Sequence, residues 1–149
     1  MLGEAETNIA TGNQYKALRI SKTPGAMFKV HVVAEDHNSM ACLYLFILAR
    51  GVVVLNIYDN ARDFSPQYGV FVKEDSDYVY IYHTWTLNGV ECKLENLSYP
   101  CFSATITERV NTESLTLTDI AQNYVSTDIP SFYKNYSTLA ELKAALDAL

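Results

Sequence analysis

From Gln14 to about Arg109 the chain is a succession of short apolar or alternating runs, each closed by turn residues. The first run, 15–20, stops at Thr23-Pro24-Gly25, a Pro-Gly turn signal. Residues 27–34 alternate, with Phe28, Val30, Val32 and Ala34 on one face and Lys29, His31 and Val33 on the other. After the polar turn 35–39, residues 42–49 are apolar on both faces and predict a strand in the middle of a packed structure. Residues 52–58, beyond Arg50-Gly51, read as its return strand. A longer loop over 59–67 precedes a strand at 68–73. The turn 74–77 leads into 78–85, where Tyr78, Tyr80 and Tyr82 share one face and Val79, Ile81 and His83 the other. Asn88-Gly89 is a hairpin dipeptide ahead of 90–97, and Tyr99-Pro100 breaks the chain before 102–110.

These runs are eight strand candidates, rich in the β-branched and aromatic residues that suit a pleated, half-buried surface. Even spacing with turn signals predicts an all-β domain over 14–110, an antiparallel β-sandwich of jelly-roll type. Residues 1–13 are polar and small and read as an arm or linker. Residues 111–149 form an extension of different character. Within it, 115–125 suits either a short strand or a short helix, and 128–136, with Pro130 and aromatics, is expected to wrap on the surface. Thr138 and Glu141 form a capping box that starts a helix over 138–149. There Leu139, Leu142, Leu146 and Leu149 recur at spacings of three, four and three, a short oligomer or docking seam. A helix this short is marginal alone, so it is expected to dock on its own domain or on a partner helix.

Composition narrows the classes. A chain of 149 residues that is 49% hydrophobic and 19% charged is one ordinary domain and not a disordered segment. A net charge of -6 argues against a nucleic-acid surface, which wants a basic face. No run approaches the ~20 apolar residues of a membrane helix, so no membrane insertion is expected. The first residues carry acids where a signal peptide would carry Lys or Arg. The three cysteines show no CxxC spacing. Cys42 reads as a small buried hydrophobe. Cys92 and Cys101 either meet across a hairpin or, more simply, stay reduced in a cytoplasmic assembly site.

Reactive patterns are missing from the sequence. His31 and His83 are strand residues that would pair as metal ligands across a sheet, but spacing supplies no third ligand, so no metal is expected. His37 is expected in solvent. Asp59, Asn60 and Asp63 lack the glycine and distal glutamate of a calcium loop. There is no nucleophile elbow, papain-like cysteine, P-loop or dinucleotide fingerprint. The acids gather in turns. Neither a catalytic residue nor a cofactor is therefore expected, and the chain reads as no enzyme. The aromatics are more informative: 11 Tyr, 6 Phe and 1 Trp. Phenol rings pack while their hydroxyls hydrogen-bond, so Tyr80, Tyr82 and Trp85 form a candidate platform for a stacked sugar. The same face equally suits a subunit interface, where Tyr is enriched.

Taken together, F-K-V-H-V-V-A at 28–34, C-L-Y-L-F-I-L at 42–48 and Y-V-Y-I-Y-H-T-W at 78–85, after the small polar residues 7–12, resemble the head domains of bacteriophage tail fibres and related virion fibres. The chain departs from that pattern by continuing past Val110 to a helix. The resemblance implies a non-enzymatic structural protein of the virion, assembled in the host cytoplasm as a homotrimer. It further implies attachment to a cell-surface receptor, a glycan or a protein, through loops such as 35–39, 59–67 and 74–77. Two alternatives stand beside it: a monomeric carbohydrate-binding sandwich using Tyr80, Tyr82 and Trp85, and a small barrel-like enzyme with a cavity lined by His31 and His83.

Overall fold

The computed structural model describes residues 6–10, 16–35, 38–60, 67–85, 89–125 and 139–148, without the side chains of 6–10, Leu139, Glu141, Leu142 and Ala145. In chain order the strands are β1 (Glu6–Ala10), β2 (Lys16–Ser21), β3 (Met27–Val33), β4 (Met40–Leu48), β5 (Gly51–Asp59) and β6 (Val70–Glu74). Then follow β7 (Tyr78–His83), β8 (Glu91–Asn96), β9 (Ile106–Asn111), β10 (Thr118–Asp119) and β11 (Gln122–Tyr124), with a helix α1 (Leu139–Asp147) last. Sheet A has the order β1-β8-β3-β4-β5-β11 and sheet B the order β10-β6-β7-β2-β9. Every pairing is antiparallel except β11 on β5. The domain is an all-β sandwich.

Alternation builds the core. Phe28, Val30 and Val32 from β3, Leu43, Leu45 and Ile47 from β4, and Leu94 from β8 meet Leu18, Ile20, Val72, Val79 and Ile81 of sheet B. All are essentially inaccessible to solvent. Burying each such side chain stabilises the fold by roughly 1.5–3 kcal/mol. The two-sided apolar run is β4, flanked on both sides by strands. Its inward row is fully buried, and its outward row of Cys42, Tyr44, Phe46 and Leu48 is half-buried.

The sheets extend beyond 14–110 at both ends. Residues 6–10, read as part of an arm, pair with β8 from Glu6↔Glu95 to Ala10↔Glu91 and form the edge of sheet A. Past Val110, the ambiguous 115–125 segment supplies one short strand to each sheet: β10 pairs with β6 and β11 with β5. The expected strand at 102–110 begins only at Ile106, because Pro100–Phe102 form a 3-10 turn after Tyr99. In β9, Glu108 and Arg109 lie opposite the single residue Leu18, and Arg109 takes φ 54° there, a bulge. Gly89, expected in a hairpin, instead lies on the connection from β7 in sheet B to β8 in sheet A, two strands that do not pair; it has φ 67°, and a Cβ on it would come within 2.8 Å of the Glu35 carboxylate. Asn88, residues 36–37, 61–66 and 128–136, and Thr138, expected to cap the helix, lie outside the described residues.

The three cysteines are free. Cys92 lies in the core and Cys101 on the surface, so the two do not meet across a hairpin. Burial pushes the Cys92 thiol up to about 12. No described helix is long and apolar enough to cross a membrane.

Candidate functional site

The tyrosine row predicted over 78–82 faces outward on sheet B, where β7 lies between β6 and β2. Register brings Phe71 opposite Tyr82, and Lys73 and Arg19 opposite Tyr80 on either side. The three tyrosines have different fates. Tyr78 lies under the Arg19 guanidinium, 4.2 Å from its ring centre, a cation–π contact. Tyr80 is only 2% exposed. Its hydroxyl donates to Asp75 Oδ2 at 2.7 Å, and burial together with that carboxylate raises its pKa to about 12. Tyr82 keeps an accessible edge. It stacks on Phe71 with centroids 6.0 Å apart and planes at 26°, and Lys73 Nζ sits 5.4 Å from its centre.

Trp85, the third residue of the expected platform, belongs to the core. It is 6% exposed, packs against His83 at 5.9 Å and is continuous with the aliphatic cluster. The reason is parity: His83 points inward with Val79 and Ile81, and the chain leaves the sheet immediately after it. A Tyr80-Tyr82-Trp85 platform therefore does not form, and Tyr82 alone of the three faces open space. The His31–His83 pair does not form either. His31 is exposed on the outer face of sheet A, while His83 is fully buried on the inner face of sheet B. Asp59, weighed as a calcium ligand, is buried and accepts from the Val70 amide at 3.2 Å. Its neighbour Asn60 accepts from the Met40 amide and donates to the Asn38 carbonyl. Among the described residues no three metal-ligating side chains converge.

The chain between β9 and β10 turns the open side of Tyr82 into a groove. Those strands are the opposite edges of sheet B, four strand spacings apart, or about 19 Å. The seven Cα steps from Asn111 to Thr118 span at most about 24 Å, and the strap 112–117 includes a turn in which the Leu115 amide donates to the Thr112 carbonyl at 3.1 Å. It passes over the Tyr82 end of β7. Its far end is fixed by β10, by the Lys73–Asp119 ion pair at 3.6 Å and by Ile120 N donating to the Val72 carbonyl. Two clefts of about 400 Å³ result. One is lined by Phe71, Lys73, Tyr82, Thr84, Asp119 and Gln122. The other is lined by Lys73, Tyr82, Thr84, Glu113, Thr116 and Leu117. Lys73, Tyr82 and Thr84 line both, so the two clefts are halves of one groove with an aromatic ridge between them.

The groove carries one cation, Lys73, and two carboxylates, Asp119 and Glu113, among neutral hydrogen-bonding groups. A hydrogen bond to Tyr82 and the nearby Asp119 carboxylate hold the Lys73 ammonium above its ordinary pKa against the desolvation that opposes it. Thr84 Oγ1 is oriented by the Gly69 amide at 3.1 Å and the Gln67 carbonyl at 3.1 Å. An ammonium, two carboxylates, a hydroxyl and an amide thus surround a stacked ring, within the volume range of small-ligand sites. The leucine seam is described only at Leu146, which is 48% exposed; the side chains of Leu139, Leu142 and Leu149 lie outside the described set.

Sequence reasoning missed Phe71, Lys73, Thr84 and Asp119. A signal for the first two existed: the hairpin turn at 74–77 sets 71 opposite 82 and 73 opposite 80. None existed for Asp119, which arrives from the far edge. Models of protein families, curated proteins and solved structures offer no match to this chain, so the groove is read from its own geometry.

Proposed function

We propose that this chain is a non-enzymatic attachment domain of a virion fibre and that it recognises a cell-surface glycan in the groove between sheet B and the 112–117 strap. The observation that carries the glycan reading is the Tyr82 ring, stacked on Phe71 and ringed by Lys73, Asp119 and Thr84 in a cleft of about 400 Å³. A sugar offers an apolar ring face and a rim of hydroxyls. The groove offers an aromatic edge and a rim of donors and acceptors. Of the two acids at its wall, Asp119 and Glu113, the first is paired with Lys73, an arrangement that suits holding a ligand. The virion reading rests on the strand texture at 28–34, 42–48 and 78–85. It carries with it threefold assembly and presentation of the groove away from the particle.

Glycan-array binding by the intact chain, lost in Tyr82→Ala with the β-sheet spectrum unchanged, is the expected result. An array with no retained glycan, or a Tyr82→Ala variant that binds as the parent does, overturns the glycan reading. Sedimentation giving three chains supports the fibre reading. A stable monomer that still binds sugar points instead to a free-standing carbohydrate-binding module.

A further inference from the structure

We propose, resting on the glycan reading of the groove, that its ligand is an uncharged oligosaccharide of at least two sugar residues laid across Tyr82, and that Glu113 turns acidic glycans away. The two halves of the groove are alike in build. Each sets an apolar side chain beside Tyr82, Phe71 in one half and Leu117 in the other. Each also has hydrogen-bonding groups of its own, Asp119 and Gln122 in the first half and Glu113 and Thr116 in the second. At about 400 Å³, either half alone reaches the size of a small-ligand pocket. One sugar ring placed against Tyr82 fills one half and leaves the groups of the other to water. A second ring joined to the first reaches them without a second loss of translational freedom, so its contacts add to affinity.

The charge of the ligand follows from the acids. Among the described residues Lys73 is the one cation lining either half. It is held by Asp119 at 3.6 Å and lies 5.4 Å from the centre of the Tyr82 ring. Asp119 stands in one half and Glu113 in the other, and no described cation pairs with Glu113. The chain holds Glu113 in place: its amide donates to Asn111 Oδ1 at 2.9 Å, and the turn from Thr112 to Leu115 closes around it. A sugar acid in either half therefore meets a carboxylate, and to reach Lys73 it must displace Asp119. Like charges this close repel, and more so where the walls thin the solvent. Hydrogen bonding agrees. Carboxylates accept and cannot donate, so Asp119 and Glu113 suit the hydroxyls of a neutral sugar and leave a sugar carboxylate without a donor. The net charge of -6 on the whole chain adds repulsion at longer range.

The test is calorimetric titration of the full chain with neutral gluco-, galacto- and manno-oligosaccharides of increasing length, from the monosaccharide upward, each beside its counterpart carrying one terminal uronic acid. Affinity is expected to rise about tenfold or more from one residue to two or three. The acidic counterpart is expected to bind about fivefold more weakly or worse at low salt. That gap should narrow in about 1 M salt, where screening is nearly complete. Glu113→Gln, on the exposed strap, should narrow the same gap at low salt, with the β-sheet spectrum unchanged. A monosaccharide bound as tightly as its oligomers overturns the proposal, and so does tighter binding of the acidic series. A gap that neither salt nor Glu113→Gln moves also overturns it, because charge at Glu113 is then not what selects. These three results leave the glycan reading standing. Binding by neither series ends the glycan reading, and this inference with it.

Discussion

The Tyr80 hydroxyl donates to Asp75 Oδ2 at 2.7 Å, tying the middle of β7 to the turn that begins its own hairpin. The same carboxylate accepts the Asp77 and Tyr78 amides at 2.9 and 2.8 Å through its other oxygen. A side chain on the outer face of sheet B is thereby buried and spoken for, and only Tyr82 is left to meet a ligand.

That hydrogen bond has an acid signature. Desolvation alone would raise the Asp75 pKa, but the bonds from Tyr80, Asp77 and Tyr78 and the Lys22 charge outweigh it and hold the carboxyl below 3.8. A depressed acid stabilises the fold above its unfolded pKa, and that stability is lost as pH falls through the folded value. Tyr80→Phe is expected to cost about 1 kcal/mol at neutral pH. Urea titrations at pH 7 and near pH 2 should show the difference between parent and variant closing at the acid end.

The alkaline limb has the opposite sign. Tyr80 and Cys92 both titrate near 12 in the fold, against 10.0 and 9.0 for the ordinary groups. Both are neutral in both states at neutral pH, well below the ordinary thiol value of 9.0. As pH rises toward 12 the unfolded chain ionises first, so stability drains away over that window. Denaturation midpoints measured across this range are expected to fall, and Cys92→Ala should make the first part of the fall shallower.

Gly25 holds φ +95°, and a Cβ on it would come within 2.8 Å of the Phe102 ring. Gly25→Ala is expected to destabilise by about 1–3 kcal/mol, from strained backbone and a displaced ring together. Phe102 is 38% exposed. Adding Phe102→Ala should therefore recover the steric part and leave the backbone part, which a thermodynamic cycle on the two substitutions separates.

Tyr82 and Trp85 should part company. Tyr82→Ala is expected to lower glycan affinity about tenfold or more, about 1.4 kcal/mol, with little change in melting temperature. Trp85→Ala empties a core site and should cost about 3–5 kcal/mol of stability. Calorimetric titration with an array-selected glycan, beside thermal melts of both variants, decides it; loss of binding by a fully folded Trp85→Ala would contradict the assignment of roles.

Much of the sandwich was legible along the chain because alternation is a local signal. Phe28-Val30-Val32 and Val79-Ile81 declare an inward face by period two alone. The two-sided apolar run of β4 declares a strand with neighbours on both flanks. The hairpin turn at 74–77 even implies that Lys73 and Phe71 accompany the tyrosines. What period two does not reveal is whether an outward face is itself covered. Tyr80 and Tyr82 are equivalent in sequence, yet one is sealed by Asp75 and Arg19 and the other opens to a groove.

Local residue choice thus determined the strands, their inward rows and the all-β class, since each follows from side chains within a few positions of one another. Tertiary structure alone decided that Glu6–Ala10 and Gln122–Tyr124 close the two edges of sheet A, that Trp85 belongs to the core, and that Asp119 meets Lys73. Each of those joins residues far apart in the chain, across strand edges that carry the same backbone donors and acceptors whatever their sequence. Their pairing is selected by the geometry of the whole sandwich.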